Sequence, residues 1–322
     1  MLTLSQVIDT RGSEMATGVL GLIGMVAVLV ALVVGFAVPR QTVAAPEGAG
    51  PAVDAAERHV RRLRLVGLVL GGVVAVWLWG VDALGRGSML AAVGFGLAFL
   101  VVMCVGELTN PVSRSARSDA DLRRRRVGDY LPRRLSVLVA VTVVVLAALL
   151  IVGLVAGTAD DLGRPGRALA WTTPTGGGSA GPWPGSFYAW PMLGALLVEL
   201  ALAGAALRII AHRAQVVPSQ AASEVDSALR SAAARGVVAA TGVATAFPLG
   251  GLGVVMAITA SNAVRGGAPG WLAVVVWVAS AAVLLAVVTF SQSAASLLRS
   301  AAGRVVRDDT DERAEDLGAG AA

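Results

Sequence analysis

The stretch LRRRRVGDYLPRRLSVLVAVTVVVLAALLIVGLVAGT, residues 122–158, joins a basic run to an apolar one. From position 135 onward it is mostly Val, Leu, Ala and Gly, and it has the length an α-helix needs to cross about 30 Å of hydrocarbon. Lipid offers the backbone no hydrogen-bond partners, so a span of this composition is expected to be helical. Arg123, Arg124, Arg125, Arg126, Arg133 and Arg134 stand beside it, and positive charge flanking a span marks the end retained in the cytoplasm.

Six more apolar stretches, 17–38, 65–81, 89–106, 190–211, 236–260 and 271–290, follow the same rule. The chain holds 26 basic residues, all arginine. Arg40, Arg58, Arg61, Arg62 and Arg64 lie between the first two stretches. Arg208, Arg213, Arg230 and Arg235 surround the connection from the fifth to the sixth, and Arg299, Arg304, Arg307 and Arg313 follow the last. Only Arg11, Arg86, Arg164, Arg167 and Arg265 fall on the other side, which places 21 of 26 together in a seven-span threading. The expected fold is therefore all-α, a polytopic transmembrane helix bundle of about seven spans with the N-terminus outside and the C-terminus cytoplasmic.

Trp77, Trp79, Trp190 and Trp271 stand at ends assigned to the outside, where amphipathic rings favour the headgroup level. The first stretch is too long for the apolar part of a secretory signal and is expected to remain as an anchor. The third is the weakest helix, because Gly94 and Gly96 interrupt it. Residues 1–306 make one bundle, and 307–322, rich in Asp and Glu among small residues, read as an acidic, disordered cytoplasmic tail.

A hydrophobic content of 56% leaves no room for a separate soluble domain. Arginine without lysine, beside abundant Ala, Gly and Val, points to a GC-rich, actinobacterial codon usage. The net charge of +5 belongs to the threading and is no nucleic-acid footprint. One cysteine, Cys104, allows neither an intrachain disulfide nor a cysteine-cluster metal site. Without lysine there is no retinal Schiff base. His59 and His212, both assigned to the cytoplasmic side, do not make an intramembrane metal centre, and neither HExxH nor a P-loop is present. Gly177-Gly178-Ser179-Ala180-Gly181 matches GxSxG by letter, inside a Gly/Pro-rich loop and with no histidine on its side of the membrane, and is read as chance. No enzyme class, cofactor or metal is expected.

The long outer loop, 160–188, is expected to be irregular, with its Trp and Tyr dipping into the lipid interface in preference to forming a lid. Three cytoplasmic approaches, at 53–58, 118–123 and 225–230, each carry Asp ahead of Arg, read as an Asp N-cap opening a juxtamembrane helix. Arg123, Arg124, Arg125 and Arg126 are candidates for contact with anionic lipid headgroups, with plain fixing of topology as the preferred reading.

Glu199 is the one acid near the middle of an apolar stretch. It costs about 2.5–3.5 kcal/mol to insert, and the Leu, Ile and Val residues around it compensate. Its natural neighbours are Thr241, Thr245 and the Phe247-Pro248-Leu249-Gly250-Gly251 segment, expected to kink the sixth span and free carbonyls. These residues form either a structural polar pairing between helices, the preferred reading, or a proton or cation relay. Glu107 at the inner end of the third span is expected to pair with a nearby arginine.

Gly106-Glu107-Leu108-Thr109 and Asp129-Tyr130-Leu131-Pro132-Arg133, bracketing an arginine-rich loop, resemble a group of uncharacterised actinobacterial integral membrane proteins over most of the spans. The resemblance implies a plasma-membrane location and no known activity, so it transfers no functional residue. The resulting expectation is a multi-pass plasma-membrane protein, a structural or regulatory subunit acting through its arginine-rich cytoplasmic loops. Its partners would be anionic lipid headgroups and either another protein or a second copy of itself. The alternative is a small carrier or ion-coupled transporter built on Glu199 beside a broken sixth span.

Overall fold

The computed structural model describes residues 51–81, 85–109, 126–174, 176–212 and 220–302. Six helices among them are long and apolar enough to cross a membrane. These are α1 (Pro51–Val81), α2 (Arg86–Thr109), α3 (Arg133–Ala156), α4 (Ser186–His212), α5 (Gln220–Arg265) and α6 (Trp271–Ala302). The expected span at 17–38, the arginines at 123–125 and the acidic tail at 307–322 lie outside the described residues.

Consecutive helices run up and down. In the α1/α2 hairpin, Gly67 and Gly71 let Phe99 and Phe95 close in: a Cβ at Gly67 would stand 2.9 Å from Phe99 Cδ2, and one at Gly71 2.7 Å from Phe95 Cδ2. The Gly-xxx-Gly spacing thus serves close packing inside the chain. Gly94 and Gly96 do not break α2, which is helical throughout. In lipid an interrupted helix leaves its own amides unpaired, and a glycine there permits a close neighbour instead. The α5/α6 pair has the most extensive contact, with Gly253 against the Ala279 carbonyl.

α5 is 46 residues long, far beyond the expected 236–260. Its N-terminal third, QAASEVDSALRSAAAR, is polar, and it is helical because Ala, Glu, Leu and Arg are strong helix formers. Asp226 therefore lies inside the helix and is not an N-cap, and the same correction applies to Asp54, inside α1. The helix also continues through Pro248, so the expected break of the sixth span is absent. Proline still removes one N–H, and the Ala244 carbonyl four residues earlier loses that donor.

The loop between α3 and α4 is ordered into a small ribbon, β1 (Leu169–Thr173) and β2 (Gly176–Ala180), antiparallel with Leu169 opposite Ala180. Trp183 does not reach the lipid interface. It is fully buried, and its Nε1 donates to the Gly153 carbonyl at 3.1 Å. Thr259 Oγ1 donates to the Pro182 carbonyl at 2.7 Å, so the loop is pinned to both α3 and α5. A polar indole nitrogen that finds a carbonyl inside the protein has no need of the headgroups. Ser179 sits on a strand of this ribbon, not on a strand-to-helix elbow.

The two ends of the bundle differ. Arg58, Arg61, Arg62, Arg126, Arg133 and Arg134 are exposed at the end where α1 and α3 begin. Trp77, Trp79, Trp190 and Trp271 are exposed toward the opposite end.

Candidate functional site

The apolar core falls into two clusters. One gathers Val93, Leu196, Leu249 and their neighbours toward the ribbon; the other gathers Phe99, Ala203, Ala240 and theirs toward the arginine-rich end. Polar residues occupy the level between them. α4 contributes Glu199, α5 Thr241 and Thr245, α6 Thr289 and Ser293, and α3 Thr142, all buried.

Glu199 is 0% exposed. Gly96 of α2 makes room for it: a Cβ there would lie 2.8 Å from Glu199 Oε1 and 2.6 Å from the Ala244 Cβ of α5. The acid, the glycine and Ala244 therefore meet at one point where three helices touch. Neither carboxyl oxygen has a hydrogen-bond partner among the described residues.

Thr241 and Thr245 are near in level but are not bonded to Glu199. Thr241 Oγ1 donates to the Val237 carbonyl at 3.1 Å, and Thr245 Oγ1 to the Thr241 carbonyl at 2.8 Å. Each hydroxyl has given its proton to its own helix, as buried Thr commonly does. Pro248 lies one turn beyond Ala244 on the same strip of α5. Glu199, Thr241 and Thr245 thus lie between the two apolar clusters, with Pro248 beside Leu249 of the ribbon-side cluster, and no hydrogen bond joins either threonine to the acid among the described residues.

On the other side of α5 the polar layer continues through residues that an apolar average hides. Thr142 and Thr289 are hydrogen-bonded through their hydroxyls at 2.8 Å. A Cβ at Gly242 would meet Ser293 Oγ and Val139, and the Ser293 and Ser291 hydroxyls have no partner among the described residues.

The arginine-rich end holds a different arrangement. Arg230 is fully buried, with Nε donating to Asp226 Oδ2 at 2.7 Å and Nη1 donating to the carbonyls of Ile210 and Ala211 at 3.0 and 2.9 Å. It caps the last turn of α4, where the helix leaves carbonyls without donors. Tyr130, in the short segment before α3, places its ring 5.9 Å from the guanidinium. Arg64 is buried against Gly236, within electrostatic reach of Glu107 and Arg235, which supplies the arginine expected beside Glu107. Of the arginine cluster at 123–126, only Arg126 is described, and it is exposed. Arg133 and Arg134 extend it, lining a shallow groove with Val137, Leu138 and Val141.

At the opposite end, Arg167 and Arg86 place their guanidinium carbons 3.9 and 4.6 Å from the centre of the Phe187 ring. Asp160 in the loop between α3 and α4 holds Arg164 by an ion pair at 3.0 Å. Desolvation pushes its carboxyl up, but the N–H groups of Arg164 and Leu162 and the Arg164 charge outweigh it. The group rests below the usual carboxylate range.

Among the described residues no cluster of His, Cys, Asp and Glu has the makings of a metal site. No protein-family model, curated protein or solved structure matches the chain. The functional reading therefore rests on this geometry alone.

Proposed function

We propose that this is a non-enzymatic, multi-pass plasma-membrane protein that acts as a structural or regulatory subunit through its arginine-rich, cytoplasmic end. The observation that carries the reading is the division of labour among its arginines. Arg230 and Arg64 are buried, and Arg230 ties α5 to the end of α4, while Arg58, Arg61, Arg62, Arg126, Arg133 and Arg134 remain exposed at the same end. Exposed guanidiniums beside the apolar Val137 and Val141 suit anionic headgroups or an acidic partner surface. The test is purification from native membranes in mild detergent, with mass spectrometry of co-purifying protein and lipid. A stoichiometric partner lost on changing Arg58, Arg61 and Arg62 to Gln supports the reading; a chain that purifies alone, with the variant unchanged in every respect, sinks it.

A second reading is favoured by one observation, the fully buried Glu199 at the centre of the bundle, whose carboxyl has no hydrogen-bond partner among the described residues. An ionisable residue in that position is costly and is the usual mark of an ion or proton pathway. On this reading the protein is a small ion-coupled carrier, and Glu199→Gln abolishes flux in liposomes while leaving folded protein in the membrane.

A further inference from the structure

On α3 the exposed apolar residues Val137, Val141, Val144, Ile151 and Val155 recur at spacings of three, four and seven, and so share one face of the helix. Arg133 and Arg134 precede Val137 by four and three positions, which sets both at the head of this stripe. The two arginines line one shallow groove with Val137, Leu138 and Val141. Helical side chains lean toward the N-terminus of their own helix, so the guanidiniums reach toward the headgroup level while their methylene stems stay on the apolar surface. Neither arginine has a hydrogen bond or an ion pair among the described residues, in contrast to Arg230. The acid nearest in sequence, Asp129, accepts from the Arg126 N–H, and residues 126–134 carry three exposed guanidiniums against that one carboxylate.

We infer that this groove seats one anionic phospholipid, its phosphodiester on Arg133 and Arg134 and an acyl chain along Val137, Val141 and Val144. The inference rests on the reading of the arginine-rich end as a contact surface, and names lipid as what these two arginines meet. The dimensions fit: Val144 lies 11 positions beyond Arg133, roughly 17 Å along the helix, about one leaflet of a bilayer some 30 Å thick. The charge fits as well, since the two free oxygens of a phosphodiester accept from guanidinium N–H groups. A zwitterionic headgroup brings its own cation to a place that already holds three, so the net anionic lipid is preferred. A soluble phosphate would leave the valine stripe uncovered. An acidic protein surface would have to follow that stripe into hydrocarbon, where charge is costly.

The experiment is a thermal melt of the purified full chain in phosphatidylcholine nanodiscs, with phosphatidylglycerol substituted stepwise at constant ionic strength. A ligand that binds only the folded state raises Tm as its concentration passes its Kd. Wild-type Tm should rise and saturate. Arg133→Gln and Arg134→Gln should each move the midpoint to about fivefold more phosphatidylglycerol, at about 1 kcal/mol for each arginine. Arg208→Gln removes one exposed charge from the same end, on α4, and should leave the midpoint near that of wild type. A rise that does not saturate, or that Arg208→Gln reduces as much as Arg133→Gln does, is diffuse attraction and overturns the site. An equal rise with inorganic phosphate in pure phosphatidylcholine discs makes the occupant a free anion and also overturns it. So does a protein that co-purifies from native membranes and is lost in Arg133→Gln while phosphatidylglycerol leaves Tm unchanged. A saturating response in a chain that purifies without a protein partner keeps the lipid site and removes the subunit reading.

Discussion

Arg230 and Glu199 are both 0% exposed, yet the chain treats the two charges in opposite ways. Arg230 meets Asp226 and two carbonyls of α4, so its donors are used and its charge is balanced. Glu199 meets Gly96, Ala244 and no bonded partner among the described residues. A buried charge with a full set of partners is an architectural joint. A buried acid without one among the described residues is a cost that packing alone does not require. Replacing each by methionine, similar in length and uncharged, separates the two cases.

Arg230→Met is the largest expected effect. It leaves Asp226 buried without its cation and the last carbonyls of α4 without donors, a loss of about 3–5 kcal/mol. Thermal melts in detergent should show a steep fall in Tm, and adding Asp226→Leu should recover part of it. If Arg230→Met alone melts like wild type, the joint is not structural and the comparison fails.

Gly96→Ala comes next. Its Cβ would sit 2.6 Å from Ala244 and 2.8 Å from Glu199 Oε1, so α2, α4 and α5 must separate, at a cost of about 1–3 kcal/mol. Gly72, inside α1 with nothing within 4 Å of such a Cβ, is the control, and Gly72→Ala should leave Tm unchanged or raise it.

Glu199→Met sharpens the contrast. Removing an unpartnered buried polar group is neutral or stabilising, by about 1 kcal/mol, where the same replacement at Arg230 is ruinous. The measurement is made in Na+-free buffer, so that any ion held by the wild type does not mask the gain. A loss as large as that of Arg230→Met would mean that Glu199 has partners in the folded protein after all.

The six described helices long and apolar enough to cross a membrane are legible in sequence because each contains an apolar run near the length of a span. Their true ends are not, since the polar first third of α5 is helical by local propensity, which hydropathy does not register. Glu199 stands out in sequence because acids are rare in such runs. Nothing local to 225–230 distinguishes Arg230 from the other arginines, because the carbonyls of Ile210 and Ala211 reach it only in the folded bundle. Thr142 and Thr289 vanish into apolar averages, and only the meeting of α3 and α6 pairs them. The burial of Trp183 is hidden from the sequence for the same reason, because its partner, Gly153, lies 30 residues away.

The smallest effect belongs to Asp160, an acid of the ribbon-bearing loop that is partnered and at the surface, and so the reverse of Glu199 in both respects. Its carboxyl is held below the usual range chiefly by the Arg164 and Leu162 N–H groups and the Arg164 guanidinium, which prevail over desolvation. A depressed folded value means that the acid contributes stability above the unfolded carboxylate pKa, about 3.9, and that the contribution fades as pH falls through the folded value. Hydrogen exchange at the Leu162 and Arg164 amides, corrected for intrinsic rates, should lose protection in that acid window while Trp183 and its hydrogen bond to Gly153 stay intact. Asp160→Asn should abolish the pH dependence. A loop whose protection is flat from neutral to acid pH would show that the ion pair with Arg164 holds nothing, and that Trp183 and Thr259 alone fasten the ribbon to the bundle.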